Sequence, residues 1–245
     1  MGTLTRRRWT RAAFIFAALT AAGIYAAGCK NEGDKPDPNA PKSPEPWKVG
    51  AYLSLSGAET QFGIETKEGI ELATDEINKA GGIKGRPLRV LYEDDKTNPN
   101  EASNKVLQLI DREKVVALLG EVSSSRSKVG GLVANKKKVP MITPLSTHPE
   151  VTQIGPFVFR VCFTDDIQGR MTARFVVNTL GKKKIALLFT SDDIYSSGLA
   201  HEFREEAKKL GAQIVAEKSF LETETNFTTY ITEIRDASPD IIYTP

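Results

Sequence analysis

The stretch VVALLGEVSSSRSKVGG, Val115 to Gly131, runs an apolar segment into a glycine, a glutamate and three consecutive serines, Ser123, Ser124 and Ser125. Hydroxyls in such a turn can attack a carbonyl, hold a phosphate, cap a helix or seat a carboxylate. Attack requires a base and a group that orients it. The sequence has two histidines: His148 in the loop-like STHPE, and His201 inside a charged helical pattern. GEVSSS is not the G-x-S-x-G elbow of the α/β-hydrolases, so a hydrolase is the weakest of the readings. Neither a G-x-x-x-x-G-K-[ST] loop nor a G-x-G-x-x-G after a strand occurs, and no His, Cys or carboxylate spacing matches a metal site. What remains is a strand-to-helix turn, where unpaired N–H groups and a partial positive charge favour an anion. Helix capping accounts for at least one of the three serines. Three together, at the carboxyl end of a strand, point to a carboxylate seat. The chemistry is binding rather than turnover.

The elements around that turn follow one rhythm. KVGAYLSL reads as a strand and GIETKEGIELATDEINKA as an amphipathic helix with Ile70, Ala73 and Ile77 near one face. Gly81 and Gly82 stop that helix by a left-handed cap. LRVLYED, VVALLGE, VPMITP and FVFRVCF continue as strands, with helices over NEASNKVLQLIDRE and SSSRSKVGGLVANKK between the first three. After a break near CFTDD come a helix from about Asp166 to Leu180, strand KIALLF, a helix through GLAHEFREEAKKL, strand AQIVAEKSF, helix TTYITEIRDA and strand DIIYTP. Strands separated by helices of this length predict right-handed βαβ units and parallel sheets. The fold class is therefore α/β, two doubly wound parallel-sheet lobes joined by a hinge, and the second lobe reads as truncated after about three strands. A truncated lobe predicts weak closure and apolar surface where further strands would pack. In open parallel sheets ligands bind beyond the carboxyl ends of the strands, which directs attention to the residues after LLG, MITP and LSLSG.

Composition agrees with a globular protein, 40% hydrophobic and 26% charged over 245 residues. The segment 1–28 has a basic start (Arg6, Arg7, Arg8, Arg11), an apolar stretch and small residues before Cys29, the layout of an export signal. Its apolar run is shorter than a spanning helix needs and is interrupted by Thr20 and Gly23. Loss of these four arginines takes the formal charge from +2 to −2, and nothing points to nucleic acid as a partner. AAGC resembles a bacterial lipobox, with alanine where leucine is usual, which makes Cys29 a lipidation site and the membrane a partner through the anchor alone. The arginine cluster also resembles a twin-arginine signal. Residues 30–46 are polar and proline-rich and read as an extended tether. Two α/β units follow, 47–163 and 164–245. Cys162, between Val161 and Phe163, reads as a buried, inert thiol. Export, anchor and tether place the protein in the periplasm or on the cell surface.

INKAGGIKGRPL, YEDDKTNPNEA, LLGEVSSS, MITPLSTHPEVT and FVFR, in this order and spacing, resemble the branched-chain amino-acid binding proteins, the type I periplasmic solute-binding proteins of ABC transporters. The resemblance runs from about Trp47 to Pro245. It implies a two-lobed, hinged receptor that is not an enzyme, needs no cofactor or metal, and hands a small amino acid or amide to a transporter permease. Matched motif to motif, it assigns the carboxylate to Ser124 and Thr147, and backbone hydrogen bonds to Val122 and Leu145. It puts an aromatic wall on Phe62, where tyrosine often stands, and an opposing one on Tyr195, where Ser196 replaces the usual glycine. Taken alone, Phe62 reads equally well as a core aromatic, and His148 as a solvated loop residue or, secondarily, a ligand-specific contact. The acid that pairs with the ligand's ammonium lies, in such proteins, beyond Pro245. The same fold also serves ligand-sensing modules that do not transport, the alternative function. Neutral hydroxyls and peptide dipoles suit the task, because a zwitterion leaving water needs its hydrogen bonds replaced.

Overall fold

The computed structural model describes residues 44–245. The export signal, Cys29 and most of the tether lie outside the described residues. Two parallel sheets follow one another along the chain. The first has five strands in the order β2-β1-β3-β4-β5: β1 (Trp47–Leu53), β2 (Leu88–Asp94), β3 (Ala117–Leu119), β4 (Met141–Thr143) and β5 (Val158–Arg160). Helices α1 (Thr60–Lys79), α2 (Pro99–Asp111) and α3 (Ser124–Lys137) connect the first four strands, and a short α4 (Glu150–Gln153) lies between β4 and β5. The chain then crosses to α5 (Asp165–Arg174), which runs into a π-helical turn, Phe175–Thr179. The second sheet has the order β7-β6-β8, from β6 (Lys184–Thr190), β7 (Gln213–Phe220) and β8 (Ile241–Tyr243), with α6 (Ile194–Lys209) and α7 (Thr228–Asp236) between them. Every strand pair is parallel, as the strand–helix alternation requires.

The first core lies between the sheet and α2 and α3, with Tyr52, Leu109, Leu118 and Met141 inaccessible to solvent. Helix α1 covers the other face less closely. Its residues Ile70, Ala73 and Ile77 border an apolar groove of about 640 Å³ over Val49, Val90 and Leu119. The second sheet is packed on both faces: Ile185, Leu187 and Phe203 form the α5–α6 side, and Ala186, Leu188 and Ile234 the α7 side. Exposed apolar side chains occur on β8 at Ile242, and equally on β4 and β5 (Ile142, Phe159) and along α5 (Ile167, Met171), so they are not concentrated on the second sheet.

Local chemistry sets the element ends. Gly81 and Gly82 both take positive φ, and their N–H groups reach Asn78 and Ile77 carbonyls at 3.1 and 2.9 Å, closing α1 with a Schellman motif. Asn98 caps α2, its side chain accepting the N–H groups of Asn100 and Glu101. Where the chain enters β1, the Arg86 guanidinium stacks 3.7 Å from the Trp47 ring and its Nε donates to the Glu45 carbonyl at 2.6 Å. Trp47 N donates to the Pro87 carbonyl at 2.8 Å.

The strand expected over FVFRVCF ends at Arg160, because the chain there leaves the sheet for the second lobe. Val161 and Phe163 are consequently 75% and 58% exposed, and Cys162 is half-buried rather than enclosed by apolar neighbours. Burial still raises its thiol pKa, which keeps it inert.

The start of α1 is pressed against the end of β1. A Cβ at Gly63 would lie 2.0 Å from the Ser54 carbonyl oxygen. Gly63→Ala gains up to ~1 kcal/mol of helix propensity, but an ångström of backbone displacement outweighs it at ~1–3 kcal/mol. Urea unfolding of this variant is expected to show a net loss of stability, and an unchanged midpoint would contradict the close approach.

Candidate functional site

A cavity of about 330 Å³ opens beyond the carboxyl ends of the first sheet, between it and the second lobe. All six residues singled out in the sequence, Phe62, Val122, Ser124, Leu145, Thr147 and Tyr195, line it. Phe62 comes from the first turn of α1, Val122 and Ser124 from the β3–α3 turn, Leu145 and Thr147 from the loop after β4, and Tyr195 from the start of α6. The core reading of Phe62 is excluded, since it is 56% exposed and faces the cavity. Cys162 and Phe163, in the segment joining the lobes, and Gln168 of α5 also contribute to the wall.

The three serines divide their work differently from a cap. Ser123 occupies the N-cap position of α3, yet no side chain caps this helix. The Ser124 hydroxyl, 1% exposed, accepts the backbone N–H of His148 at 3.1 Å, so its own hydrogen remains to be donated. Ser125 points across the lobes, donating to Asp193 Oδ1 at 2.6 Å. Capping therefore explains none of the three.

Thr147 is almost fully buried, and its hydroxyl has no hydrogen-bond partner among the described residues. Its neighbour Asp165 is likewise buried, with both oxygens short of a well-formed hydrogen bond; desolvation raises that carboxyl to about 6, against the smaller lowering effect of the adjacent Thr147 hydroxyl. His148, expected in solvent, is half-buried. Its Nδ1 accepts the Glu150 N–H at 3.3 Å, and among the described residues its ring makes no hydrogen bond to a serine hydroxyl. Ser196, in place of the usual glycine, keeps the turn closed: its hydroxyl accepts the Thr190 N–H at 2.9 Å and donates to the Pro245 carbonyl at 2.8 Å.

Under the cavity lies a charged network that sequence reasoning missed. Glu121 is fully buried. Its Oε1 accepts the Ser54 N–H at 3.0 Å and hydroxyl at 2.9 Å, and its Oε2 accepts the Ser123 N–H at 2.7 Å and Arg126 Nε at 3.0 Å. Arg126 Nη2 also binds Glu59, which borders the cavity. The Glu121 carbonyl accepts the hydroxyls of Thr143, Ser146 and Ser127 at 2.7, 2.9 and 3.0 Å. One residue thus ties the ends of β1 and β4 to the start of α3 and fixes the turn that presents Ser124. Its signal in the sequence was a glutamate separated by one glycine from the end of β3, five residues before an arginine.

Among the described residues, no lysine, arginine or histidine lines the cavity. The carboxylates of Glu59 and Asp193 border it, hydroxyls stand at one end, and Phe62, Leu145, Phe163 and Tyr195 supply the walls. Such a site suits a small molecule with a carboxylate, an ammonium and an apolar body. Among the described residues, no group of three His, Cys, Asp or Glu could hold a metal ion, and no helix is long and apolar enough to cross a membrane.

The periplasmic binding protein family matches residues 46–244. An amino acid binding protein of Pseudomonas aeruginosa is 33% identical over 196 residues, 80% of this chain and 52% of that protein. The structure of a leucine-binding protein of Thermotoga maritima is similar at 34% identity and a TM-score of 0.75, over 80% of this chain and 55% of that one. That of the branched-chain amino acid transporter substrate-binding protein LivJ of Streptococcus pneumoniae, in complex with isoleucine, has 31% identity and a TM-score of 0.76, over 81% and 56%. The chain spans about half the length of the curated relatives it matches.

Proposed function

Because the chain belongs to the periplasmic binding protein family, we propose that its cavity takes up a small amino acid, of branched-chain type or a related amide, for delivery to an ABC importer's permease. The observation that carries this reading is the pair of buried hydroxyls, Ser124 and Thr147, facing one apolar cavity with hydrogens to donate. A ligand carboxylate would accept from both, and peptide groups of Val122 and Leu145 would supply further bonds. Glu59 and Asp193 favour an ammonium group by their charge. Discrimination would rest on Phe62, Leu145 and Tyr195, where one methylene is worth ~1 kcal/mol or somewhat more. The AAGC sequence supports a lipid anchor on Cys29 and a location in the periplasm or at the cell surface.

Thr147→Val removes the hydroxyl and keeps the shape. Titration calorimetry with leucine, isoleucine and valine is expected to show affinity weaker by about 1–2 kcal/mol. Absence of binding to every amino acid and small amide tried would overturn the amino-acid reading. Parent-like affinity of the variant would remove Thr147 from the site.

A further inference from the structure

We infer that Ser125 and Asp193 form a clasp between the lobes that sets the width of the cavity, making Ser125 a positioning residue for a ligand it does not touch. The inference rests on the reading of the cavity as a ligand seat. Helix α3 of the first lobe and α6 of the second begin at the same place, N-terminus toward N-terminus. Ser125 Oγ donates to Asp193 Oδ1 at 2.6 Å and accepts the Ile194 N–H at 3.3 Å. Asp193 Oδ2 accepts the Ser196 N–H at 3.0 Å and so caps α6 within its own lobe. One carboxylate therefore closes its own helix and reaches the neighbouring one.

Three physical points give this contact its weight. First, two helix N-termini brought together present like partial charges, and a carboxylate between them turns repulsion into attraction. Second, a hydrogen bond to an ionised oxygen is among the stronger kinds. Third, few others join the lobes. Among the described residues, the remaining inter-lobe hydrogen bond runs from the Asp165 N–H to the Thr147 carbonyl at 3.1 Å, beside the connecting segment. The clasp is also next to the cavity walls in sequence. Ser124 precedes Ser125, and Tyr195 stands two residues after Asp193, on opposite sides of the cavity. Ser125 itself is absent from the lining of that cavity and borders a smaller polar groove beside it.

The test compares the parent chain with Ser125→Ala and Ser125→Thr. Hydrogen exchange over residues 192–198 and small-angle scattering, both without solute, report the clasp directly. L-leucine association and dissociation rates report its effect on the cavity. In Ser125→Ala we expect faster exchange at Ile194 and its neighbours, a larger radius of gyration, and dissociation of leucine roughly tenfold faster with little change in association. Ser125→Thr, which keeps the hydroxyl, should restore all three. Exchange and scattering unchanged in Ser125→Ala would overturn the clasp. Faster exchange with an unaltered leucine dissociation rate would overturn its role at the cavity, leaving a merely structural contact. If the parent itself takes up no leucine, the amino-acid reading fails separately, and the exchange and scattering comparison still decides whether the lobes are clasped.

Discussion

Replacing Arg126 with methionine is expected to cost ~3–5 kcal/mol of folding stability, because it strands a buried carboxylate. Arg126 is 3% exposed and Glu121 is inaccessible to solvent. The Arg126 guanidinium answers two acids, Glu121 through Nε and Glu59 through Nη2. Lysine offers one ammonium in place of that planar fork and should recover little. The double variant Arg126→Met with Glu121→Gln removes the stranded charge and should recover part of the loss. Denaturant unfolding measures all three, and an Arg126→Met chain within ~1 kcal/mol of the parent would show that the network is not what holds the β3–α3 turn.

Stability is expected to rise as the pH falls from 8 to 5, the reverse of ordinary acid sensitivity. The Ser54 hydroxyl lies 3.0 Å from Asp95 Oδ1 and 2.9 Å from Glu121 Oε1. It has one hydrogen, so one of these contacts needs a proton from a carboxyl group. Asp95 is that group: desolvation first, and then the charge of Glu121, raise it to about 7. Asp165, raised by burial to about 6, acts in the same direction; His148, which burial lowers, opposes the two carboxyls over this window. The unfolded chain gives up these carboxyl protons near pH 4 and the folded chain only at 6 to 7. Over that window the folded state binds more protons, so rising pH works against folding. Below about pH 4 the effect is complete, and acids such as Asp166, held below the usual range mainly by the Thr164 hydroxyl, begin to cost stability instead. Stability should therefore peak near pH 5, a few kcal/mol above its value at pH 8. Melting scans across pH check this, and Asp95→Asn should flatten the profile on the alkaline side. A stability that falls steadily from pH 8 to 5 would refute the shared proton.

The architecture was legible because parallel strands covered on both faces must be continuously apolar. KVGAYLSL and KIALLF announce themselves, and the serine turn after VVALLG follows from the place where such sheets end. The cavity residues were legible only through their motifs. What stayed hidden was set by partners distant in the chain. Glu121 meets Ser54 from 67 residues away, and Ser125 meets Asp193 from 68. The exposure of Val161 and Phe163 was misread for a related reason. An apolar run resembles a strand until one knows that the chain must leave the sheet there.

The fastening of Trp47 has a mechanical side. β1 lies inside its sheet, bonded along all seven residues to β2 and over three to β3, and its first residue is pinned by Arg86 and Pro87. A pull directed along the strand axis through Trp47 would load the evenly spaced cross-strand bonds together instead of unzipping them one by one. The load enters at the amino end of β1, and the cavity lies beyond the carboxyl ends of the same strands, at the far side of the sheet.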